Sequence, residues 1–101
     1  MRRGTTPLIT LTVPMDLRGW SVYITLKNGV KQLTFENDKV SVDYANGIST
    51  LRFVLTQEQT LSFKVGECEI QLRAAKDGSA VASSIGTVKI ERIIMDGVID
   101  G

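Results

Sequence analysis

The sequence contains no histidine and a single cysteine, Cys68, among its 101 residues. Without imidazole it lacks the commonest general base at neutral pH and the commonest metal ligand. A Ser-His or Cys-His nucleophile system cannot be assembled within the chain, and no cofactor or metal is expected. One thiol allows no internal disulfide, so the fold has to stand on packing, as is usual for a protein made in a reducing cytosol. Charge of one sign is also missing, with 12 Lys plus Arg against 11 Asp plus Glu. The basic residues from Lys27 to Lys89 are scattered singly, and only Arg2 and Arg3 adjoin. Neutralising several phosphates needs a clustered basic face, so nucleic acid is not an expected partner. No apolar run is long enough to span a bilayer. After the arginine pair, GTTPLITLTVP is broken by threonines and by both prolines of the chain where an export signal needs an apolar stretch.

What the sequence has is alternation. Ile9, Leu11 and Val13 alternate with Thr10 and Thr12, and Pro14 stops the run because it cannot donate to a ladder. Trp20, Val22, Ile24 and Leu26 share one face of a second strand, with Ser21, Tyr23, Thr25 and Lys27 on the other. Asn28-Gly29 follows, a pair that accepts positive φ at both positions and predicts a two-residue hairpin. The returning strand carries Leu33 and Phe35 inward. Val40, Val42 and Tyr44 mark a fourth strand, Asn46-Gly47 a second turn, and Leu51, Phe53 and Leu55 a fifth strand. The period then changes. In TQEQTLSF, Thr56 and Gln59 have the spacing of a capping box and predict one helical turn fastened by Leu61 and Phe63. Cys68, Ile70, Leu72 and Ala74 form the inner face of a sixth strand. Asp77-Gly78 is the last hairpin signal, and a seventh strand runs through Val88 and Ile90.

Seven short strands with tight turns predict an all-β fold, an antiparallel two-sheet immunoglobulin-like β-sandwich with one short helical turn; a small barrel is the competing architecture. At 101 residues and 43% hydrophobic content a single domain spanning 1–101 is expected, with an N-terminal arm over 1–7 and a C-terminal tail over 94–101.

Few side chains invite a chemical role. Glu67 and Glu69 face the same way on a strand, but Gln71 and Arg73 continue that face as an ordinary solvated surface. Cys68 alternates with Ile70 and Leu72, where free cysteine behaves as a small apolar residue. Tyr23 alone on an outer face could stack on a sugar, although such platforms usually align more than one aromatic; Trp20 and Tyr44 are expected in the core. Glycines follow Asn or Asp or lie at strand ends, which is turn usage rather than a phosphate cradle. No catalytic residue is assigned, and an enzyme is not expected.

RGTTPLITLTV at the start, LTQEQTL at 55–61, KDGSAVASSIGTVKI at 76–90 and the closing RIIMDGVI resemble a family of small proteins encoded in the tail-gene regions of prophages of Gram-positive bacteria. More distantly the chain is similar to the N-terminal domain of phage baseplate upper proteins, a β-sandwich that anchors receptor-binding machinery to the tail. The resemblance implies a virion structural protein of the tail or baseplate, made in the bacterial host cytoplasm and assembling with itself or with neighbouring tail proteins, with no small-molecule substrate and no membrane. The larger proteins carry helical or receptor-binding extensions, and this chain reaches Gly101 without one. A free-standing adhesive or carbohydrate-binding module is the other reading.

The ends of the chain are the candidate assembly interface. Arg2, Arg3 and the α-amino group make a positive arm, whereas Asp96, Asp100 and the terminal carboxylate are negative. Ile93, Ile94, Met95, Val98 and Ile99 form apolar runs between them that need cover. Either the last strand continues within its own sheet, or the tail docks head-to-tail on a neighbour.

Overall fold

Alternation and turn chemistry place the strands of the computed structural model, which describes all 101 residues. Two antiparallel sheets form. The smaller has the order β1 (Leu8–Val13), β5 (Ile48–Val54), β4 (Ser41–Ala45); the larger runs β3 (Lys31–Glu36), β2 (Ser21–Asn28), β6 (Gly66–Lys76), with β7 (Ser79–Ala82) and β8 (Gly86–Ile90) sharing the far edge of β6. The protein is thus the expected two-sheet β-sandwich, with eight strands rather than seven. There are two helical turns rather than the one expected: a 3-10 turn at Asn37–Lys39 joins β3 to β4, and α1 (Gln57–Leu61) crosses between the sheets after β5. The capping box forms as expected: Thr56 Oγ1 accepts from Gln59 N at 3.1 Å, and Gln59 Oε1 accepts from Thr56 N at 2.8 Å.

The inward faces close on one core. Val22, Ile24, Leu26, Leu51, Phe53, Leu55, Phe63, Cys68, Leu72, Ala74 and Ile90 are buried within it, as alternation predicts. Phe35 of β3 and Phe53 of β5 meet across the core, with ring centroids 4.7 Å apart and ring planes tilted by 34°. Trp20 is half-buried against this core. Tyr44 is half-buried too, with the Arg18 guanidinium 4.6 Å above its ring. The loop before β2 is held by a buried serine. Ser49 Oγ donates to Met15 O at 2.6 Å and accepts from Leu17 N at 2.9 Å, which seats Leu17 in the core.

Two sequence expectations are corrected. The pair Asn28-Gly29 does not occupy both central positions of the first hairpin. Asn28 pairs with Lys31 as the last residue of β2, and the turn is Gly29-Val30, with positive φ only at Gly29. Asn46-Gly47 and Asp77-Gly78 do have positive φ at both residues, as a type I′ hairpin requires. The second correction explains the extra strand. The segment after Asp77-Gly78 pairs with β6 twice, first through β7 and then through β8, and between the pairings Ser83–Ile85 faces only Gln71 and Leu72. This is a β-bulge: one additional residue that exchanges the faces of the strand. Ser83 holds it, its N donating to Leu72 O at 2.8 Å and its Oγ accepting from Leu72 N at 3.0 Å. By register Val81, opposite Ala74, lies on the core-side face at an odd position although it stays exposed, and Val88 and Ile90 lie on it at even ones, an inversion that hides the strand from a period-2 reading.

Candidate assembly interface

The arm and the tail meet on one chain. Met1 to Arg3 run parallel to the end of β8 and cover its open side there: the α-amino group donates to Lys89 O at 2.7 Å, Glu91 N to Met1 O at 2.7 Å and Arg3 N to Glu91 O at 3.1 Å. The chain then crosses to the other sheet to begin β1. Gly4 makes the crossing with φ +73°, and a Cβ there would lie 2.9 Å from Ile93 Cδ1, so both the conformation and the space call for glycine. Thr60, buried in α1, fixes the crossing by donating to Thr5 O at 2.9 Å.

Arg3 is the centre of this end. Its Nε donates to Phe63 O at 2.8 Å, one terminal nitrogen to Leu61 O at 2.9 Å, and the other to Asp96 Oδ1 at 3.1 Å. The guanidinium thus satisfies carbonyls left open where α1 stops and holds the tail by an ion pair. Its side chain is 21% exposed. Arg2 lies further out, donating to Arg92 O at 3.1 Å and standing 3.4 Å from Glu91 Oε2. Exposed ion pairs of this kind contribute roughly 0–1 kcal/mol each. Gln57, at the start of α1, provides a second attachment: its amide donates to Ile99 O and accepts from Ile99 N, both at 2.9 Å, as a strand neighbour would.

Between these attachments the apolar side chains of the tail face solvent. Ile94 is 98% exposed, Met95 72%, Val98 56% and Ile99 53%. Only Ile93 turns back, against Gly4. The structure therefore brings all six residues of the candidate interface to one end of the molecule, and it separates their roles. Arg3 is engaged by its own chain; Ile94, Met95, Val98 and Ile99 are free to meet a partner. The tail does not continue β8 as a sheet strand, since regular pairing ends at Ile90. The complementary charge of the two ends is used within one chain through Arg3 and Asp96.

Residues considered for chemistry lie apart from this end. Cys68 is fully buried, and burial raises its thiol pKa. Tyr23 is exposed on the outer face of the larger sheet beside Arg73, Ala75 and Ala80, with no second aromatic in that shallow depression. Two residues that position the tail and the arm, Gln57 and Thr60, carry no signal for this in the sequence, because their partners lie 42 and 55 residues away.

These features define a two-sheet β-sandwich that displays an apolar segment at one end. Among solved structures, the chain is similar to a candidate glycoside hydrolase from Bacteroides vulgatus ATCC 8482, known from a 1.80 Å crystal structure. The TM-score is 0.53 at 13% sequence identity, over 91% of this chain and 16% of that one. At that identity the likeness is one of fold alone, and the chain corresponds to a small part of the larger protein. No family model matches the chain, and no curated protein matches it.

Proposed function

We propose that this protein is a non-enzymatic structural component of a tailed phage or prophage particle, in the tail or baseplate, acting through protein-protein assembly. The observation that carries the reading is the tail. Arg3 and Gln57 attach its backbone to the body while Ile94, Met95, Val98 and Ile99 point outward. A segment held in one conformation loses less entropy on docking than a free one, which is what a recurring contact in a particle requires. The resemblance of the arm, the capping box and the tail to small prophage tail-region proteins agrees with this, since those segments build and support the displayed end.

The test is co-expression with the products of the genes on either side of its own. The full-length protein should co-purify with at least one of them, and Ile94→Asp with Met95→Asp should remove that partner while β-sheet circular dichroism and cooperative melting persist. Retention of the partner by the double variant would defeat the reading. Specific glycan binding by a form that joins no neighbour would favour the carbohydrate-binding alternative.

A further inference from the structure

A sandwich of two open sheets has four edges, and three of these are guarded against pairing. β3 begins with Lys31 and ends with Glu36, β4 carries Asp43 at its centre, and the edge formed by β7 and β8 is broken by the bulge at Ser83–Ile85. Charges and bulges are the usual devices that keep a free edge from adding another strand. β1 has neither. Its six residues, LITLTV, contain no charge, and the strand pairs with β5 on one side only.

The register identifies the free groups. Leu55 N donates to Pro7 O, so Pro7 and Leu55 are a hydrogen-bonded pair, and Ile9, Leu11 and Val13 follow at every second position with Phe53, Leu51 and Ser49. The backbone groups of Leu8, Thr10 and Thr12 therefore point to the open edge, and their side chains lie on the exposed outer face. Ile9, Leu11 and Val13 remain only half-buried, and Leu11 and Val13 line an open groove toward Ile70, Leu72 and the bulge.

We propose that β1 is a self-pairing edge, through which two copies of this chain join antiparallel about a two-fold axis at Thr10. That axis places Thr10 opposite Thr10 of the second copy and Leu8 opposite its Thr12, and makes about six inter-chain hydrogen bonds. Other two-fold registers that use the same outward-facing groups pair fewer residues. A strand paired with itself sets identical or nearby side chains across the axis, and β1 accepts this because none of them is charged. Pro7 and Pro14 bound the strand and limit slippage. Each copy has one unguarded edge, so pairing consumes both and closes the assembly as an isologous dimer rather than a fibre. The proposal deepens the assembly reading and rests on it, but it uses a surface separate from the tail.

The test is the mass of full-length protein in solution, by sedimentation or light scattering. Wild type should be dimeric, and Thr10→Lys and Thr10→Asp should each weaken the dimer more than about tenfold by setting like charges across the axis. Mixing the two variants should restore it. A wild type that is monomeric at every concentration reached, a Thr10→Lys form as dimeric as wild type, or a mixture that stays monomeric overturns the proposal. Should Thr10→Lys fail to melt cooperatively, mild oxidation provides the second readout. Thr10→Cys should cross-link at the axis, where paired Cα atoms are about 5.5 Å apart, whereas Thr12→Cys should not. Equal cross-linking of both variants overturns it. Ile94→Asp with Met95→Asp should leave the dimer intact. If that pair abolishes the dimer and Thr10→Lys does not, the edge proposal falls while the tail reading stands.

Discussion

Replacing Asn28 with alanine tests whether an asparagine that looks like turn chemistry is in fact a buried clamp. Asn28 is 6% exposed, and its side-chain amide donates to Lys64 O at 3.1 Å and Glu67 O at 3.0 Å while accepting from Lys64 N at 2.8 Å. These bonds hold the loop between α1 and β6 against the end of β2, at the same end of the sandwich as the arm and tail. A net intramolecular hydrogen bond contributes about 0.5–1.5 kcal/mol, and partly buried partners left unsatisfied add to the loss. Asn28→Ala should therefore cost about 3 kcal/mol, a large share of the roughly 5–15 kcal/mol typical of a domain. Asn46, in the sequence-identical Asn-Gly pair, has φ +52° and no side-chain clamp, so Asn46→Ala should cost only about 1 kcal/mol through left-handed backbone strain. Urea denaturation followed by Trp20 fluorescence gives both values under one set of conditions. Equal losses for the two variants, or a larger one for Asn46→Ala, would refute the assignment of Asn28 as a clamp.

Three further outcomes can be checked on the same protein. Phe53→Ala removes the ring that stacks on Phe35 between the sheets and should cost about 3–5 kcal/mol; a denaturation midpoint close to wild type would show that the core does not depend on that contact. Cys68, fully buried with its pKa raised by burial, should resist thiol reagents in the native state and react on adding denaturant, so rapid native labelling would place it on the wrong face. Hydrogen bonds from Arg18 hold the Asp16 carboxyl at about 2, below its ordinary 3.8. Because the folded value is the depressed one, its stabilisation is present above 3.8 and is lost as pH falls through about 2. An NMR titration should find that midpoint, and Arg18→Ala should return it toward the ordinary carboxylate range.

Much of the fold was legible because alternation, capping and turn residues act over a few positions. The inward faces of β2, β5 and β6, the capping box at Thr56 and the turns at Asn46-Gly47 and Asp77-Gly78 all depend on neighbours within about four residues, and each forms as expected. The miscounted strand had a local cause of another kind: the bulge at Ser83–Ile85 exchanges inside for outside, and alternation is silent about a strand that changes phase. The two Asn-Gly pairs differ for a third reason. Whether Asn28 turns the chain or clamps it depends on whether carbonyls at Lys64 and Glu67 lie within its reach, and no local pattern records that.

The candidate interface divides the same way. Complementary charge at the two ends and an apolar run at Ile93–Ile99 were visible in the residue types, because charge and hydropathy belong to side chains wherever they sit. Which groups would be spent internally was a matter of tertiary structure. Arg3 is committed to the carbonyls of Leu61 and Phe63 and to Asp96 only because the crossing at Gly4 brings the arm against α1. The outward display of Ile94, Met95, Val98 and Ile99 depends in turn on Gln57 meeting Ile99. Local residue patterns were enough to specify an all-β chain with one capped helical turn and apolar residues left over at its end. Which edges stayed open and which side chains faced solvent followed only from the folded chain, because those outcomes rest on hydrogen bonds closed between residues tens of positions apart.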